Sequence, residues 1–553
     1  MCELGPPGMG MSQSARIAVL VVIAACRSPE PVSSEERPAA SSCKPLSCRD
    51  TDCSPELGPP GLHDSDARLG FDIHPGIGNL HLADDDAAAR PAIGAPLGLE
   101  RHYNSAADAT NHGFGPGWSH TYGWRITLPD PATARIVTGS GRAIVFSKGP
   151  AWTAPPNEYG TLAGSTATGF VYTTRRGTQL AFDGDGRLTA IQEPTSPGPI
   201  EIAYDGGDAI ATVTSGRGHG NARLGSTLRF RYTGDRITAI TDPAGHTWQY
   251  SYDEAGRLTL VTLPGGGQTR YTWSDLEVGG VRFATGRNTS ITRVSRLVAP
   301  DVWADRGLFS YDADLGQVTH AATSVISGVL QDEVALAYTL CLDAPSTTVA
   351  TLAGGTKTIE SARIAGVQRP TSIKATAGIG APGETAATAW AWNADGTLAS
   401  VSSGGITTTY ANYDAKANPG TVVEGAGSPA ARTTRYTYHP VLGAVMSESR
   451  TGVSGATAHV VIADYDADHD TSYNKQPTAF VHQLIEQGAT DTALTGTATT
   501  PVTLVTRVDL DDWNRPTRLT YPNGRAIEYG YFPSDAASPD AQLRLATRRV
   551  RTA

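Results

Sequence analysis

Ser119 stands beside His120, and serine next to histidine is the pairing from which a nucleophile and its general base are assembled. On a strand, adjacent side chains leave on opposite faces, so the two do not meet and a structural role is the reading that fits. Gly117-Trp118-Ser119-His120-Thr121 also lacks the closing glycine of a nucleophile elbow. Asp464, Asp466, Asp468 and Asp470 alternate as calcium-loop ligands do. An EF-hand needs glycine at its sixth position and a carboxylate at its twelfth, where His469 and Lys475 stand, so a solvated turn is expected. Asp84-Asp85-Asp86 reads as a charged loop. His74, His81, His102, His112 and His120 are close in sequence, but their spacings place them on different strands and turns, which argues against a metal centre. No phosphate-binding loop and no HExxH helix is present. The expectation is a non-enzymatic protein without metal or cofactor.

Cysteine offers two further chemistries. Arg16 precedes the apolar run 17–25, which stops at Cys26. A basic residue, a short apolar core and a small-residue exit make a signal peptide, and the run is too short to cross a bilayer. Ile23-Ala24-Ala25-Cys26 resembles the bacterial lipobox, which implies lipid attachment at Cys26 and a signal peptide over 1–26, with Met11 as an alternative start and an ordinary cleavable signal as the alternative reading. Arg27, where some bacteria place an aspartate that retains the protein at the inner membrane, implies an exported protein lipid-anchored at the outer membrane or cell surface. Residues 27–69, rich in Pro, Ser and acidic residues, cannot bury enough apolar surface to offset their ordering entropy and read as a disordered tether. Cys43, Cys48 and Cys53 lie in it as disulfide candidates, one of which must stay unpaired locally. Cys341 sits alone and reads as a buried structural thiol.

The elements that must position everything else are short strands. Tyr232, Tyr252 and Trp273 recur at steps of about twenty residues, the first two each followed by a glycine turn, an arginine and an apolar–threonine alternation. The turns are Asp242-Pro243-Ala244-Gly245 and Asp253-Glu254-Ala255-Gly256. If extended, Ile237, Ala239 and Thr241 face one way and Thr238 and Ile240 the other; Leu258 and Leu260 oppose Thr259 and Val261. Such units are β-hairpins, each too small to bury a face by itself, and a fixed period near twenty is the mark of a repeat array. The fold class is all-β: a spiralling sheet of antiparallel hairpin repeats. Charged residues are 18% of the 553, and the net charge of −10 comes without any Lys/Arg cluster, which excludes a nucleic-acid partner.

Tyr252-Asp253-x-x-Gly256-Arg257-Leu258, followed by a Pro-Gly turn and Tyr271-x-Trp273, resembles the YD repeat of bacterial RHS proteins, toxin-complex shells and teneurins. Phe182-Asp183-x-x-Gly186-Arg187 is a further unit, and Tyr204-Asp205 opens the next. Residues 274–390 are irregular. The pattern recovers at Trp392 and Gly396, Tyr413-Asp414, Tyr465-Asp466, Arg515, Asn523-Gly524 and Tyr529. Segment 70–180, with Gly78-Asn79-Leu80, Arg101-His102-Tyr103-Asn104-Ser105 and Phe114-Gly115-Pro116-Gly117-Trp118, resembles the domain that precedes YD repeats. The array over 181–553 stops inside what would be another unit, an expected unpaired edge for further chain or a partner to complete. The resemblance implies a YD shell, complete or partial, that encapsulates or presents a toxin or effector cargo. Its rings would pack between neighbouring hairpins while Arg bonds carbonyls or Asp groups across the turn. The alternative is a surface adhesin, a carbohydrate-binding lipoprotein that stacks glycans on Trp152 or Trp303.

Overall fold

The computed structural model describes residues 72–551, apart from 92–93, 108–111, 195, 197, 217–224, 286–289, 315, 327–328, 353–354, 377–386, 441, 452–456, 466–480, 492–498, 512–514 and 533–544. Every regular element among them is a β-strand. The signal peptide, the tether, Cys26, Cys43, Cys48, Cys53 and Asp466 lie outside the described residues.

Two four-stranded antiparallel sheets come first. One runs through Ile73–His74, Asn79–Ala89, Leu97–Asn104 and Trp118–His120; the other through Arg125–Asp130, Thr133–Val137, Ala143–Lys148 and Trp152–Thr153. From Thr161–Ser165 to Leu545–Arg551 a single long sheet of 30 strands follows, each paired antiparallel with the next in chain order. The irregular stretch 274–390 does not interrupt it. Leu276–Val278 with Val281–Phe283, and Ser324–Ile326 with Val329–Gln331, branch off as two-stranded ribbons, while Gln268–Thr272 pairs directly with Arg293–Ala299. The period is lost there because the ribbons add residues between strands that are still neighbours.

One feature of the strands corrects the simple alternation. Ile237 and Ile240 are both fully buried, as are Leu258 and Val261. Strict two-residue alternation would put each pair on opposite faces. The cause is a β-bulge in each of these units: Arg231 faces Ala239 but Tyr232 faces Ile237, and Ser251 faces Leu260 but Tyr252 faces Leu258. Thr238 and Thr259 are the extra residues. A residue without a partner shifts the register by one, so apolar positions three apart reach the same side. Leu188 with Ile191, and Val318 with Ala321, repeat the spacing.

The main core lies between residues 73–152 and one face of the strands from Leu162 to Leu398. Trp118 meets Tyr271 at 5.2 Å between ring centroids, Phe114 meets Tyr250 at 4.9 Å, and Trp124 meets Tyr172 at 6.0 Å. Hydrogen bonds tie the same segment to turns and strands of the array: Ile126 N donates to Gly186 O (2.9 Å), Ile237 N to Gly113 O (2.8 Å) and Val318 N to Gly78 O (3.0 Å). Asp84-Asp85-Asp86, expected as a charged loop, lies inside strand Asn79–Ala89, and the Asp86 side chain is only 1% exposed.

The bulge makes a prediction that alternation does not. Ile237→Ala and Ile240→Ala should each cost about 2–4 kcal/mol. Thr238→Ala, between them, should cost about 1 kcal/mol. Denaturant midpoints that show one of the two isoleucines to be silent would refute the register.

Candidate functional site

Among the described residues the recurring constellation is a clasp at the hairpin turns that begin with aspartate. Asp183 Oδ1 accepts from the backbone N–H of Asp185 (3.0 Å) and of Arg187 (2.9 Å), while Oδ2 accepts from Arg187 Nε (2.7 Å). Asp253 repeats this with Ala255 (3.1 Å), Arg257 N (2.9 Å) and Arg257 Nε (2.7 Å). Asp511 holds Arg515 N at 3.0 Å and Nε at 2.8 Å. Where arginine is absent the carboxylate takes another donor: His246 Nδ1 lies 2.8 Å from Asp242 and Asn418 Nδ2 lies 2.9 Å from Asp414. Burial pushes the carboxyls of Asp183, Asp242, Asp253 and Asp414 up, but their hydrogen bonds outweigh it and hold them below the usual carboxylate range. The turn needs a positive φ before the arginine, supplied by Gly186 (78°) and Gly256 (71°). A Cβ on Gly186 would come within 2.0 Å of Ile126 O.

From each clasp the arginine reaches the next unit. The guanidinium carbon of Arg187 lies 5.2 Å from the Tyr204 ring centroid, that of Arg257 5.9 Å from Trp273, and that of Arg515 4.1 Å from Tyr531. Those rings in turn donate back to a carbonyl just past the preceding turn. Tyr204 Oη donates to Leu188 O (2.9 Å), Tyr252 Oη to Ile237 O (2.6 Å), Trp273 Nε1 to Leu258 O (2.6 Å) and Tyr531 Oη to Pro516 O (2.8 Å). Trp392 Nε1 bonds Pro370 O at 2.8 Å, Tyr438 Oη bonds Pro419 O at 2.9 Å, and Tyr413 Oη bonds Leu398 O. Tyr232 bonds the backbone of Ile210. The bulge threonines act alongside: Thr189 Oγ1 donates to Ala181 O (3.1 Å), Thr259 to Ser251 O (3.1 Å) and Thr517 to Asp509 O (3.0 Å). Sequence reasoning missed this role, although the threonine two residues after each clasp arginine carried the signal.

Several residues stand apart from the clasps. Phe182 is buried but has no hydroxyl to join the ladder. Tyr271 donates to Asp84 Oδ2 at 2.7 Å instead of to a carbonyl. Gly396 (φ 85°) and Gly524 (φ 78°) close turns, Tyr529 faces Arg548, and Tyr465 follows the bulge at Asp464.

A second constellation joins the first sheet to the array. Arg101 is 1% exposed and donates to Asp86 through Nε (2.5 Å) and an Nη (3.1 Å). Tyr250 Oη also donates to Asp86 (2.7 Å), and the Arg101 guanidinium lies 5.0 Å from the Trp118 ring centroid. One buried carboxylate, Asp86, and the half-buried Asp84 at 3.7 Å thus hold one buried cation among aromatic rings; nothing in the spacing of Asp84, Asp86 and Arg101 announced it.

The residues first weighed for catalysis are satisfied structurally. Ser119 Oγ donates to Gly139 O at 2.7 Å, while His120 Nδ1 accepts from Tyr122 N at 3.3 Å. His81 and His102 share a 3.2 Å hydrogen bond, and no metal-holding cluster occurs among the described residues. Burial lowers His81 to about 3, His102 to about 4 and His120 to about 3. Trp303 has the Arg270 guanidinium on its face at 3.8 Å, and Trp152 Nε1 donates to Gly164 O at 3.1 Å. Cys341, expected as a solitary thiol, is disulfide-bonded; all the other cysteines lie outside the described residues.

This geometry defines a protein of antiparallel hairpin repeats with clasped turns and an aromatic ladder between units. Residues 233–268 match the family model described as RHS Repeat, and residues 70–146 match one described as a domain of unknown function (DUF6531). The chain thus carries an RHS repeat within its long sheet of hairpins. No curated protein matches it. Solved structures with similarity include TcdB2-TccC3-TEV (10% identity, TM-score 0.31, 81% of this chain and 28% of that one). TcdB2-TccC3-Cdc42 gives 9%, 0.32, 83% and 26%, and the Photorhabdus luminescens Tc holotoxin pore 10%, 0.29, 82% and 25%. The chain spans about a quarter of the length of these proteins.

Two measurements follow. Arg101→Met leaves Asp86 and Asp84 without their buried cation and should cost about 3–5 kcal/mol. Arg257→Met, at a clasp about a quarter exposed, should cost under about 1 kcal/mol. Equal losses in thermal unfolding would contradict this ranking. The three histidines are neutral in the fold but protonate below about pH 6.5 when unfolded. Their stabilisation is therefore complete above that pH and declines as pH falls through 6.5 toward 4 and 3. Glu100, raised by burial and by Asp85 and Asp84, works oppositely at the lower end. A thermal midpoint flat between pH 7 and about pH 5 would count against buried neutral histidines.

Proposed function

We propose that this chain is a non-enzymatic wall that encloses or presents a toxin or effector polypeptide, exported and lipid-anchored through Cys26 at the outer membrane or cell surface. The observation that carries the reading is the unbroken sequence of 30 paired strands, cross-tied from unit to unit by the aromatic-to-carbonyl bonds. Such a surface leaves few backbone groups to proteases and needs no catalytic group. The disulfide at Cys341 supports export, since disulfides persist in oxidising compartments. Two measurements test the reading separately. The polypeptide encoded beside this chain should survive protease only when co-expressed with it, and equal digestion with and without the chain would sink enclosure. Labelled fatty acid should mark the wild type and not Cys26→Ala; label on both, or on neither, would sink the anchor.

A further inference from the structure

Cys341 lies in the connection between strands Val334–Thr339 and Ser346–Leu352, is 2% exposed and is disulfide-bonded. Its backbone is held from two sides. The Cys341 N–H donates to Ser346 Oγ (2.8 Å), and the Cys341 carbonyl accepts from Gln368 Nε2 (3.1 Å) and Ser346 Oγ (3.3 Å). The structure is of one chain, so the bond is internal to it. With six cysteines in all, the partner is one of Cys2, Cys26, Cys43, Cys48 and Cys53, which all precede the described residues.

The first described residues run past this same place. Thr348 Oγ1 donates to Pro75 O at 2.7 Å, and Ile77 and Leu340 share a small core. Gly76 stands so close to Gln368 that a Cβ on it would lie 2.8 Å from the Gln368 Cβ. Gln368 is the residue that bonds the Cys341 carbonyl. The chain therefore enters the fold beside Cys341. Residues 54–71 join Cys53 to Asp72, and an extended chain of that length reaches about 60 Å, so Cys53 and the two cysteines before it are within range.

We propose that Cys341 is joined to one of Cys43, Cys48 and Cys53, and that the two cysteines left over are joined to each other. Setting aside the other two rests on the export reading: cleavage before Cys26 removes Cys2, and a lipid thioether consumes the Cys26 thiol. Four cysteines then remain, and the odd thiol of Cys-x4-Cys-x4-Cys finds its partner across the fold. Each bridge forms by exchange with a disulfide-bearing oxidase of the exporting compartment. Two thiols of the chain become one S–S bond, the S–S bond of the oxidase becomes two thiols, and two electrons and two protons pass to it. Burial of Cys341 keeps attacking thiolates away, which makes this bridge a structural staple. The wall is then fixed to the segment behind the lipid at two points, the main chain at Asp72 and the bridge at Cys341. A cut between Cys53 and Asp72 does not release it.

The test alkylates the exported full-length chain without reduction, digests it with pepsin in acid and identifies bridged peptides by mass spectrometry. Cys341 should appear bridged to Cys43, Cys48 or Cys53, with no alkylated thiol in the wild type and one per chain in Cys341→Ser. Cys341 found alkylated, or bridged to a second copy, overturns the staple. A bridge from Cys341 to Cys26 overturns both the staple and the anchor. The expected bridge in a chain that takes up no fatty acid overturns the anchor alone. A site-specific protease sequence inserted after Arg68 gives the second reading. Once cut, the wild type should keep its N-terminal fragment until reduced, and Cys341→Ser should lose it at once. Should Cys341→Ser not fold, the cut wild type compared before and after reduction decides alone. A fragment that leaves it before reduction overturns the proposal.

Discussion

Each bulge in the long sheet withdraws one residue from strand pairing, and the carbonyl facing it loses its ladder donor. A backbone carbonyl that is buried without a partner costs free energy comparable to a lost hydrogen bond, so a repeat that bulges must supply a donor at each bulge. The threonine hydroxyl at the bulge serves one carbonyl, and the aromatic Oη or Nε1 of the next unit serves another. The recurrence of Tyr or Trp and of Thr in this chain follows from that need. The same bulge brings apolar residues three apart to one face, which widens the buried stripe beyond what alternation alone allows.

Charge works differently at the two constellations. The Asp253–Arg257 clasp is about a quarter exposed on both partners, and an ion pair in that setting contributes little by itself. Its value lies in fixing the turn, because one carboxylate oxygen also holds two backbone N–H groups. Arg101 is the opposite case. Its desolvation is severe, offset by Asp86, by Asp84 and by the aromatic faces around it. Such a pair is costly to break and has a single workable position, so it fixes how Asn79–Ala89 and Leu97–Asn104 sit on strands Thr247–Tyr252 and Gln268–Thr272.

The repeat was legible because its signal is local: aromatic-Asp, Gly-Arg and the twenty-residue step lie within one hairpin, and turn chemistry reads directly from Gly, Pro and Asp. The bulge was not, since an extra residue leaves composition unchanged and announces itself only as an apolar spacing of three, as in Ile237 and Ile240. The stretch 274–390 misled for a related reason. Two ribbons lengthened the spacing while the pairing of Gln268–Thr272 with Arg293–Ala299 continued underneath. The Arg101 constellation was invisible because its members are far apart in sequence, Asp84 and Asp86 joining Tyr250 and Tyr271 only once the sheets pack. The run of aspartates therefore read as a solvated loop.

Coverage changes along the long sheet. From Leu162 to Leu398 its apolar face is packed against residues 73–152. From Ile406 onward the described strands are largely half-buried or exposed, as in Ile406–Tyr413 and Pro419–Glu424, and Leu545–Arg551 is exposed at every position. The clasp and the ladder nevertheless continue there, at Asp414 with Tyr438 and at Asp511 with Arg515 and Tyr531. Since a hairpin contacts mainly its neighbours, stability in such an array is close to a sum of unit and interface terms. The early units add a buried apolar face to those terms, and the later ones rest mainly on pairing, clasps and ladder bonds. Local opening should therefore be easiest at the far end of the sheet, with the packing of residues 73–152 holding the units between Leu162 and Leu398 closed.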